Sequence, residues 1–272
     1  MSVRPKLISS AQNPEVKKIA GLKKRRERRK SGLTVVEAGA ELRPALAAGA
    51  RLRTLYYAPD LVDDADREEF LSHAEERSLP VVEVGPEAFA KMAYRESPDG
   101  WLATADLPDG DLADIAPGPE PLVLLAEGVE KPGNLGAILR TADGMGADAV
   151  IAVDSVVDWG NPNVVRASKG MVFSVPLASA ALEETLAWLA ERDVRILAAT
   201  PEGAVDYTAA DYSGGVAIAV GAEHSGLTGE LAGAASQRIV IPMLGNADSL
   251  NVSTSLAIIA YHALWKRQSA RA

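Results

Sequence analysis

The stretch that decides the fold runs from residue 239 to residue 267 and reads IVIPMLGNADSLNVSTSLAIIAYHALWKR. Its β-branched start predicts a strand over Ile239–Ile241, and the apolar spacing further on predicts a helix over 251–266. The polar residues between them can hydrogen-bond to backbone and to a ligand. Ligands of open α/β sheets bind at such turns, outside the carboxyl ends of the strands, so we predict a ligand-binding loop here.

Length and composition bound the class of protein. The 272 residues suit one large or two modest domains, and 47% hydrophobic residues can fill a core. The chain has no cysteine and only three histidines, far apart in sequence, so we expect no disulfide, no thiol nucleophile and no metal site. The N-terminus lacks an apolar leader segment, and no apolar run is long enough for a membrane span. We therefore expect a soluble cytoplasmic protein without a membrane partner.

Positive charge is concentrated at the N-terminus of a chain whose formal net charge is −9. Residues 1–30 contain eleven Lys or Arg, Arg4 among them, against two Glu, so the other 242 residues carry −18. Such a segment indicates binding of a polyanion, although a solvated helix face or a disordered tail is the alternative. A helix start is predicted over 9–15, which favours RNA binding by an ordered segment. The predicted RNA-binding residues are Lys23, Lys24, Arg25, Arg26, Arg28, Arg29 and Lys30.

A stretch rich in Pro, Gly and Asp over residues 106–120 is typical of a linker, so we predict domains over 1–105 and 121–272. In the first, we predict strands at 34–37, 52–57 and 81–84 and helices at 41–48, 64–77 and 87–92. In the second, we predict strands at 122–126, 149–153, 173–176, 195–200, 216–220 and 239–241, with helices at 134–145, 162–169, 182–192 and 251–266. Apolar strands that alternate with helices indicate an α/β class with a buried parallel sheet.

Three motifs of the second domain contain candidate functional residues. They span residues 134–140, 221–226 and 241–253, and each follows a predicted strand. Neither a G-x-G-x-x-G fingerprint nor a P-loop occurs among them, so a dinucleotide or nucleoside triphosphate site is not supported. Taken singly, the motifs have simpler interpretations: a capped helix with a surface arginine, a turn that ends a strand, and a cap formed by Ser249 or Asn251.

In this order and spacing, the motifs resemble those of the SpoU/TrmH family of S-adenosylmethionine-dependent RNA ribose 2′-O-methyltransferases, in the SPOUT superfamily. The resemblance covers residues 121–267. The first domain is similar to the family's ribosomal-protein-like RNA-binding domain, but it reads Val36-Glu37-Ala38-Gly39 where many members read Val-Glu-Gly. The matching positions are Asn134, Gly136 and Arg140, then Gly221, Glu223 and Gly226, then Ile241–Met243 and Ser249–Ser253.

The resemblance implies a deep trefoil knot in the second domain, with S-adenosylmethionine bound there. The cofactor-binding residues that it implies are Thr200, Gly221, Glu223, Ile241, Met243, Ser249, Leu250 and Asn251. It also implies a catalytic set of Arg140, Asn134, Glu223, Ser253 and Asn251. In that set Arg140 stabilises the developing alkoxide or orients a phosphate, and Glu223 holds Arg140 or its own loop. His224 could act as a base, but it lies outside the matched motif.

The resemblance further implies a homodimer through the knotted domain. The interface that we expect comprises Leu256, Ile259, Tyr261 and Leu264 of the last helix, with the segment 161–166. The expected substrate is structured RNA. The two-domain layout and the basic segment over residues 1–30 favour 23S ribosomal RNA over transfer RNA. Some members confer resistance to ribosome-targeting antibiotics, which makes resistance a further expectation here. A non-catalytic RNA-binding protein on the same fold is the alternative.

Overall fold

The computed structural model describes residues 6–271, so Arg4, counted above, lies outside the described residues. The first elements in chain order are β1 (Lys6–Ile8), α1 (Pro14–Gly21), α2 (Arg25–Ser31), β2 (Leu33–Glu37), α3 (Gly39–Ala47), β3 (Leu52–Tyr57), α4 (Asp64–Glu76), β4 (Val81–Val84), α5 (Pro86–Met92) and β5 (Trp101–Asp106). The later elements are β6 (Leu122–Glu127), α6 (Pro132–Met145), β7 (Ala149–Val153), α7 (Pro162–Ala167), β8 (Leu177–Ala180), α8 (Leu182–Ala190), β9 (Arg195–Ala199), β10 (Val205–Asp206), β11 (Val216–Val220), α9 (Gly229–Ala234), β12 (Gln237–Val240) and α10 (Val252–Arg271).

Contacts divide the described chain into two compact units. Unit 1 contains residues 6–108 and 158–174, and unit 2 contains residues 109–157 and 175–271. The segment 158–174 lies inside the domain predicted over 121–272, yet it packs with unit 1. Hydrogen bonds join its first residues to the stretch 6–108. Asp158 accepts from Arg28, and the Gly160 carbonyl accepts from the Thr34 hydroxyl at 2.5 Å. The predicted bounds 1–105, 106–120 and 121–272 stay a prediction.

Unit 1 is built on a mixed sheet. Among the described residues its strands have the order β1-β4-β3-β5-β2, and β5 runs antiparallel to both of its neighbours. The predicted helix start is confirmed, because the Asn13 side chain accepts from the Glu15 amide at 2.8 Å and Pro14 opens α1. Strand β5 was missed: its two Ala and its closing Asp disfavour a strand, although Trp101 and Thr104 favour one and Gly100 directly before it marks a turn.

Unit 2 is built on a parallel sheet, which confirms the predicted class. Its described strands have the order β10-β12-β9-β11-β6-β7-β8, and every neighbouring pair is parallel. Strands β6, β7 and β11 are fully buried, as expected where helices cover both faces. The predicted strand over 173–176 is wrong. Met171–Phe173 form a 3₁₀ turn, and pairing begins only after Pro176, which has no N–H to donate to a neighbouring strand.

No helix within residues 6–271 combines the length and the apolar composition needed to cross a lipid bilayer.

Ala38 adopts a backbone conformation that glycine takes without strain. Its φ is +82° and its ψ is 147°, directly before α3, and such a conformation costs a non-glycine residue about 1–3 kcal/mol. We expect Ala38→Gly to raise the free energy of unfolding by about 0.5–1 kcal/mol, since the gain is partly offset by a more flexible unfolded chain and a lost buried methyl. Urea denaturation measures this change in the free energy of unfolding.

The matched control is Ala45→Gly, which removes an equally buried methyl from the interior of α3. That change is expected to lower stability by about 1 kcal/mol or more, because glycine is a poor helix former. Equal destabilisation by the two substitutions would contradict the strain at Ala38.

Candidate active site

Four adjacent strands of unit 2 end at one edge of the sheet. In the order β12-β9-β11-β6 they are mutually parallel, so their carboxyl ends lie side by side. The residues that follow them are 241–250, 200–203, 221–226 and 128–134. These are the segments in which the sequence predicts the ligand-binding residues, and this edge is where open α/β sheets bind ligands.

Asn134 connects all three motifs by hydrogen bonds. It lies in the first turn of α6 and is buried. Its Nδ2 donates to Glu223 Oε1 of the second motif, and its Oδ1 accepts from Asn251 Nδ2 of the third at 3.1 Å. One amide therefore uses its donor and its acceptor to fix segments that are 89 and 117 residues away in sequence.

Asn251 has two functions. Its Oδ1 accepts from the Ser253 amide at 3.0 Å and from the Ser253 hydroxyl at 2.6 Å. These bonds fix the first turn of α10, which is the simpler interpretation of this motif. The Asn251 amide nitrogen donates to Asn134 at the same time, so the start of the helix and the polar network are fixed together.

Glu223 interacts with Asn134 and with Lys131, but no bond joins it to Arg140. The Lys131 Nζ lies 3.8 Å from Glu223 Oε1. Arg140 is exposed on α6, and among the described residues it makes no hydrogen bond or ion pair. Glu223 therefore holds its own loop through Asn134, the second of its two expected roles. His224 is exposed and takes no part in this network.

The backbone approaches itself closely in two of these loops, and only glycine permits this. A Cβ on Gly221 would lie 2.1 Å from the Gly226 carbonyl carbon, and a Cβ on Gly203 would lie 2.4 Å from that of Ile239. Ala222 and Gly226 exchange two backbone hydrogen bonds across the first loop. Beside the second, Thr200 Oγ1 is buried without a hydrogen-bond partner among the described residues. Backbone groups therefore line this part of the edge.

The segment 241–250 presents apolar side chains to the surface. Ile241 and Met243 are half-buried, Leu250 is 36% exposed, and Leu244 is 98% exposed. Ser249 is exposed as well. The described residues therefore leave this loop open on the side away from the sheet.

Sequence reasoning missed Glu127, which holds the residue Thr228 that follows the second motif. Its buried carboxylate accepts from the Thr228 amide at 2.8 Å and from the Thr228 hydroxyl at 2.7 Å. Thr228 in turn caps α9, so this pair anchors the chain that leaves the Gly221 loop. The available signal was an acidic residue at the end of an otherwise apolar strand.

The structure places Arg28 in the interior of unit 1, so the prediction that it contacts RNA is wrong. Its side chain is 1% exposed. Its Nε and Nη2 donate to the two carboxylate oxygens of Asp158 at 2.9 and 2.5 Å, and its Nη1 donates to the carbonyls of Leu22 and Lys23. Arg25 faces the same carboxylate, with its Nε 3.8 Å from Asp158 Oδ2. The partly buried Asp158 carboxylate, 130 residues away in sequence, thus determines that Arg28 is structural.

The other predicted RNA-binding residues divide by exposure. Lys23, Lys24, Arg26, Arg29 and Lys30 are exposed and Arg25 is half-buried; Arg26, Arg29 and Lys30 share a face of α2 by helical spacing. Lys23 donates to the Ala93 carbonyl at 2.7 Å, and its Nζ lies 5.4 Å from the centre of the Tyr94 ring. The exposed positive charge of unit 1 at this helix therefore comes mainly from one face.

The last helix also differs from expectation. Leu256 and Ile259 are fully buried in unit 2, so the prediction that they form a dimer interface is wrong. They face the sheet of their own unit, as the apolar side of a helix that covers a sheet does. The exposed apolar residues of α10 are Tyr261, at 48%, and Trp265, at 59%.

Two family models match the chain. The model of the SpoU rRNA Methylase family matches residues 121–261, more than half of the chain. The chain belongs to the SpoU rRNA Methylase family. A second model, the MRM3-like substrate binding domain, matches residues 13–103 of this SpoU family member. The resemblance inferred from the three motifs is thereby confirmed.

Individual relatives agree with this membership. The protein is 28% identical to the 23S rRNA (guanosine(2553)-2′-O)-methyltransferase RlmP of Bacillus subtilis over 94% of this chain and 98% of that protein. A solved RNA 2′-O ribose methyltransferase is 37% identical, with a TM-score of 0.84, over 96% of this chain and 99% of that one. An AdoMet-bound rRNA methyltransferase from Sinorhizobium meliloti is 31% identical, with a TM-score of 0.87, over 97% and 99%. Similarity to SpoU family structures therefore extends over both units.

Proposed function

We propose that the protein is an enzyme that transfers the methyl group of S-adenosylmethionine to a ribose 2′-hydroxyl in 23S ribosomal RNA. The observation that carries the proposal is the network in which Asn134 joins Glu223 and Asn251, because it connects the three family motifs at one sheet edge. The names of two relatives given above state that one methylates 23S rRNA and that the other is an rRNA methyltransferase with AdoMet bound. A transfer RNA substrate is the alternative for the same chemistry.

The residues at this edge fit S-adenosylmethionine. Gly203 and Gly221 let the backbones of their loops lie close to neighbouring backbone, so this edge offers backbone groups to a ligand, and the buried Thr200 Oγ1 has no partner among the described residues. Apolar side chains of 241–250 suit the faces of an adenine ring. The binding set that we propose is Thr200, Gly221, Glu223, Ile241, Met243, Ser249, Leu250 and Asn251. When bound, the cofactor supplies an electrophilic methyl group on a sulfonium.

In the proposed reaction the ribose 2′-oxygen forms a bond to the methyl carbon as the carbon–sulfur bond breaks, and the hydroxyl proton leaves to solvent. Arg140 stabilises the negative charge that develops on the oxygen. Asn134 and Ser253 orient the ribose, while Glu223 and Asn251 hold Asn134 in place. The assigned residues thus act by positioning the ribose and by stabilising the charge on its oxygen.

We also propose the finer features that the family resemblance implies. These are a trefoil knot formed by the C-terminal segment, a homodimer that covers Tyr261 and Trp265, and domains over 1–105 and 121–272. The exposure of those two aromatic side chains supports the dimer, because large apolar groups on a surface helix mark contact sites. A cytoplasmic location follows from a ribosomal substrate, and resistance to a ribosome-targeting antibiotic is one role for such a modification.

RNA affinity is expected to depend on the exposed face of α2. The double change Arg29→Gln with Lys30→Gln removes two exposed cations, so the slope of log affinity against log salt should fall by about 1.5. Filter binding to 23S rRNA fragments at several salt concentrations measures the slope. The control pair is Arg77→Gln with Lys91→Gln, which removes the same charge from the residue after α4 and from α5. An equal fall of the salt slope in both pairs would argue against a specific RNA-binding face.

The proposed reaction is tested with labelled S-adenosylmethionine and rRNA from cells that lack the protein, so that the target is unmodified. Transfer of label to 23S rRNA, with the nucleotide located by ribose-methylation mapping, is the expected result. Label on transfer RNA instead would favour the alternative substrate. A protein that binds S-adenosylmethionine but methylates neither RNA would favour the non-catalytic alternative.

A further inference from the structure

Lys131 occupies a helix position that does not suit it. It is the N-cap residue of α6, and its side chain makes no capping hydrogen bond. Ser, Thr, Asp and Asn are preferred at this position because their oxygens accept from free backbone N–H groups. A lysine cannot accept, and its charge lies at the positive end of the helix dipole. Local helix energetics therefore do not explain a lysine here.

The ion pair of Lys131 does not explain it either. Its Nζ is 3.8 Å from Glu223 Oε1, and its side chain is 67% exposed. A pair at this distance in water contributes little to stability. Glu223 is already held by Asn134. The lysine ammonium therefore remains available to an anion that approaches the network from solvent.

Unit 2 has few other cations to offer a polyanion. It contains eight Lys or Arg against nineteen Asp or Glu, a formal net charge of −11, and its only lysines are Lys131 and Lys266. Such a unit repels RNA at long range. A phosphate that reaches the network from solvent therefore meets Lys131 as a rare favourable contact.

We propose that Lys131 binds the phosphate on the 3′ side of the target ribose and thereby positions the 2′-hydroxyl. The inference rests on the proposed function. In RNA the 2′-oxygen and the 3′-phosphate are attached to neighbouring ribose carbons, so a hydroxyl at the Asn134 network brings that phosphate to the edge of the network. Lys131 lies at this edge, and an ammonium group is a common phosphate ligand.

The experiment compares Lys131→Gln, Lys131→Ser and Lys131→Arg with Lys266→Gln, which removes the other lysine of unit 2. Lys131→Gln is expected to raise the KM for RNA by about tenfold, as loss of a charge-assisted contact does, with kcat changed less. The salt slope of RNA binding should fall by about 0.7–0.9. Lys131→Arg and Lys266→Gln should retain a KM near that of the wild type.

Lys131→Ser separates a substrate-binding role from a structural one. Serine caps a helix, so its Tm should rise while its KM for RNA rises as well. Unchanged KM and salt slope in Lys131→Gln, alongside an active wild-type protein, would overturn the inference. Weakened S-adenosylmethionine binding in that variant would also overturn it, since the lysine would then serve the cofactor. A wild-type protein that methylates no RNA would overturn the proposed function, and this inference with it.

Discussion

Arg140→Ala is expected to lower kcat for methyl transfer by about 10²–10³-fold, with S-adenosylmethionine binding unchanged. Loss of one preorganised group that stabilises a developing oxyanion has an effect of this size. The guanidinium stays protonated in proteins, so it acts as a positive charge and not as a base. Because Arg140 is exposed and makes no bond among the described residues, its removal should leave the fold intact. Single-turnover methyl transfer and calorimetric cofactor binding provide the two readouts.

Two variants control the Arg140 experiment. Arg140→Lys keeps the charge but loses the planar fork, so an intermediate rate is expected. Arg192→Ala removes an arginine of the same unit that stacks on Trp188 and takes no part in the network, and its rate should match that of the wild type. If Arg140→Ala retained the wild-type kcat, the electrostatic role would be wrong.

Asp158→Ala is expected to lower the free energy of unfolding by about 3 kcal/mol. It would leave the Arg28 guanidinium buried at 1% exposure without its carboxylate, and breaking one partner of a buried ion pair costs about 3–5 kcal/mol. The lower figure applies because the Asp158 side chain is 15% exposed and Arg28 keeps its two carbonyl bonds. Urea denaturation followed by circular dichroism measures the change.

The double variant Arg28→Met with Asp158→Leu tests the same pair. It removes both charges, so it should be more stable than Asp158→Ala alone. Arg29→Ala, on the exposed face of the same helix, should change stability by less than about 0.5 kcal/mol. Similar losses of stability in Arg29→Ala and Asp158→Ala would show that a general effect on α2, and not the loss of the buried pair, lowers the free energy of unfolding.

The parallel sheet of unit 2 was predictable because most of its strands are apolar runs, and β6, β7 and β11 are buried on both faces. Its site loops were predictable because each follows such a strand. Hydrogen bonds between distant residues were not, since spacing alone does not reveal which side chain bonds Glu223. For the same reason Arg28 could not be told from Arg29: adjacent arginines look alike until Asp158, 130 residues away, is brought beside one of them.

The two hydrogen bonds of the Asn134 side chain join residues that are synthesised at different times. Asn251 is made after Asn134 and Glu223, because a chain is synthesised from its N-terminus onward. A growing chain can form unit 1 and most of the sheet early, as domains fold in order of synthesis. The network stays incomplete until Asn251 has been made and placed beside Asn134. A chain that terminates between Glu223 and Asn251 would keep the residues of the Asn134–Glu223 bond but would lack the partner that joins the third motif to Asn134.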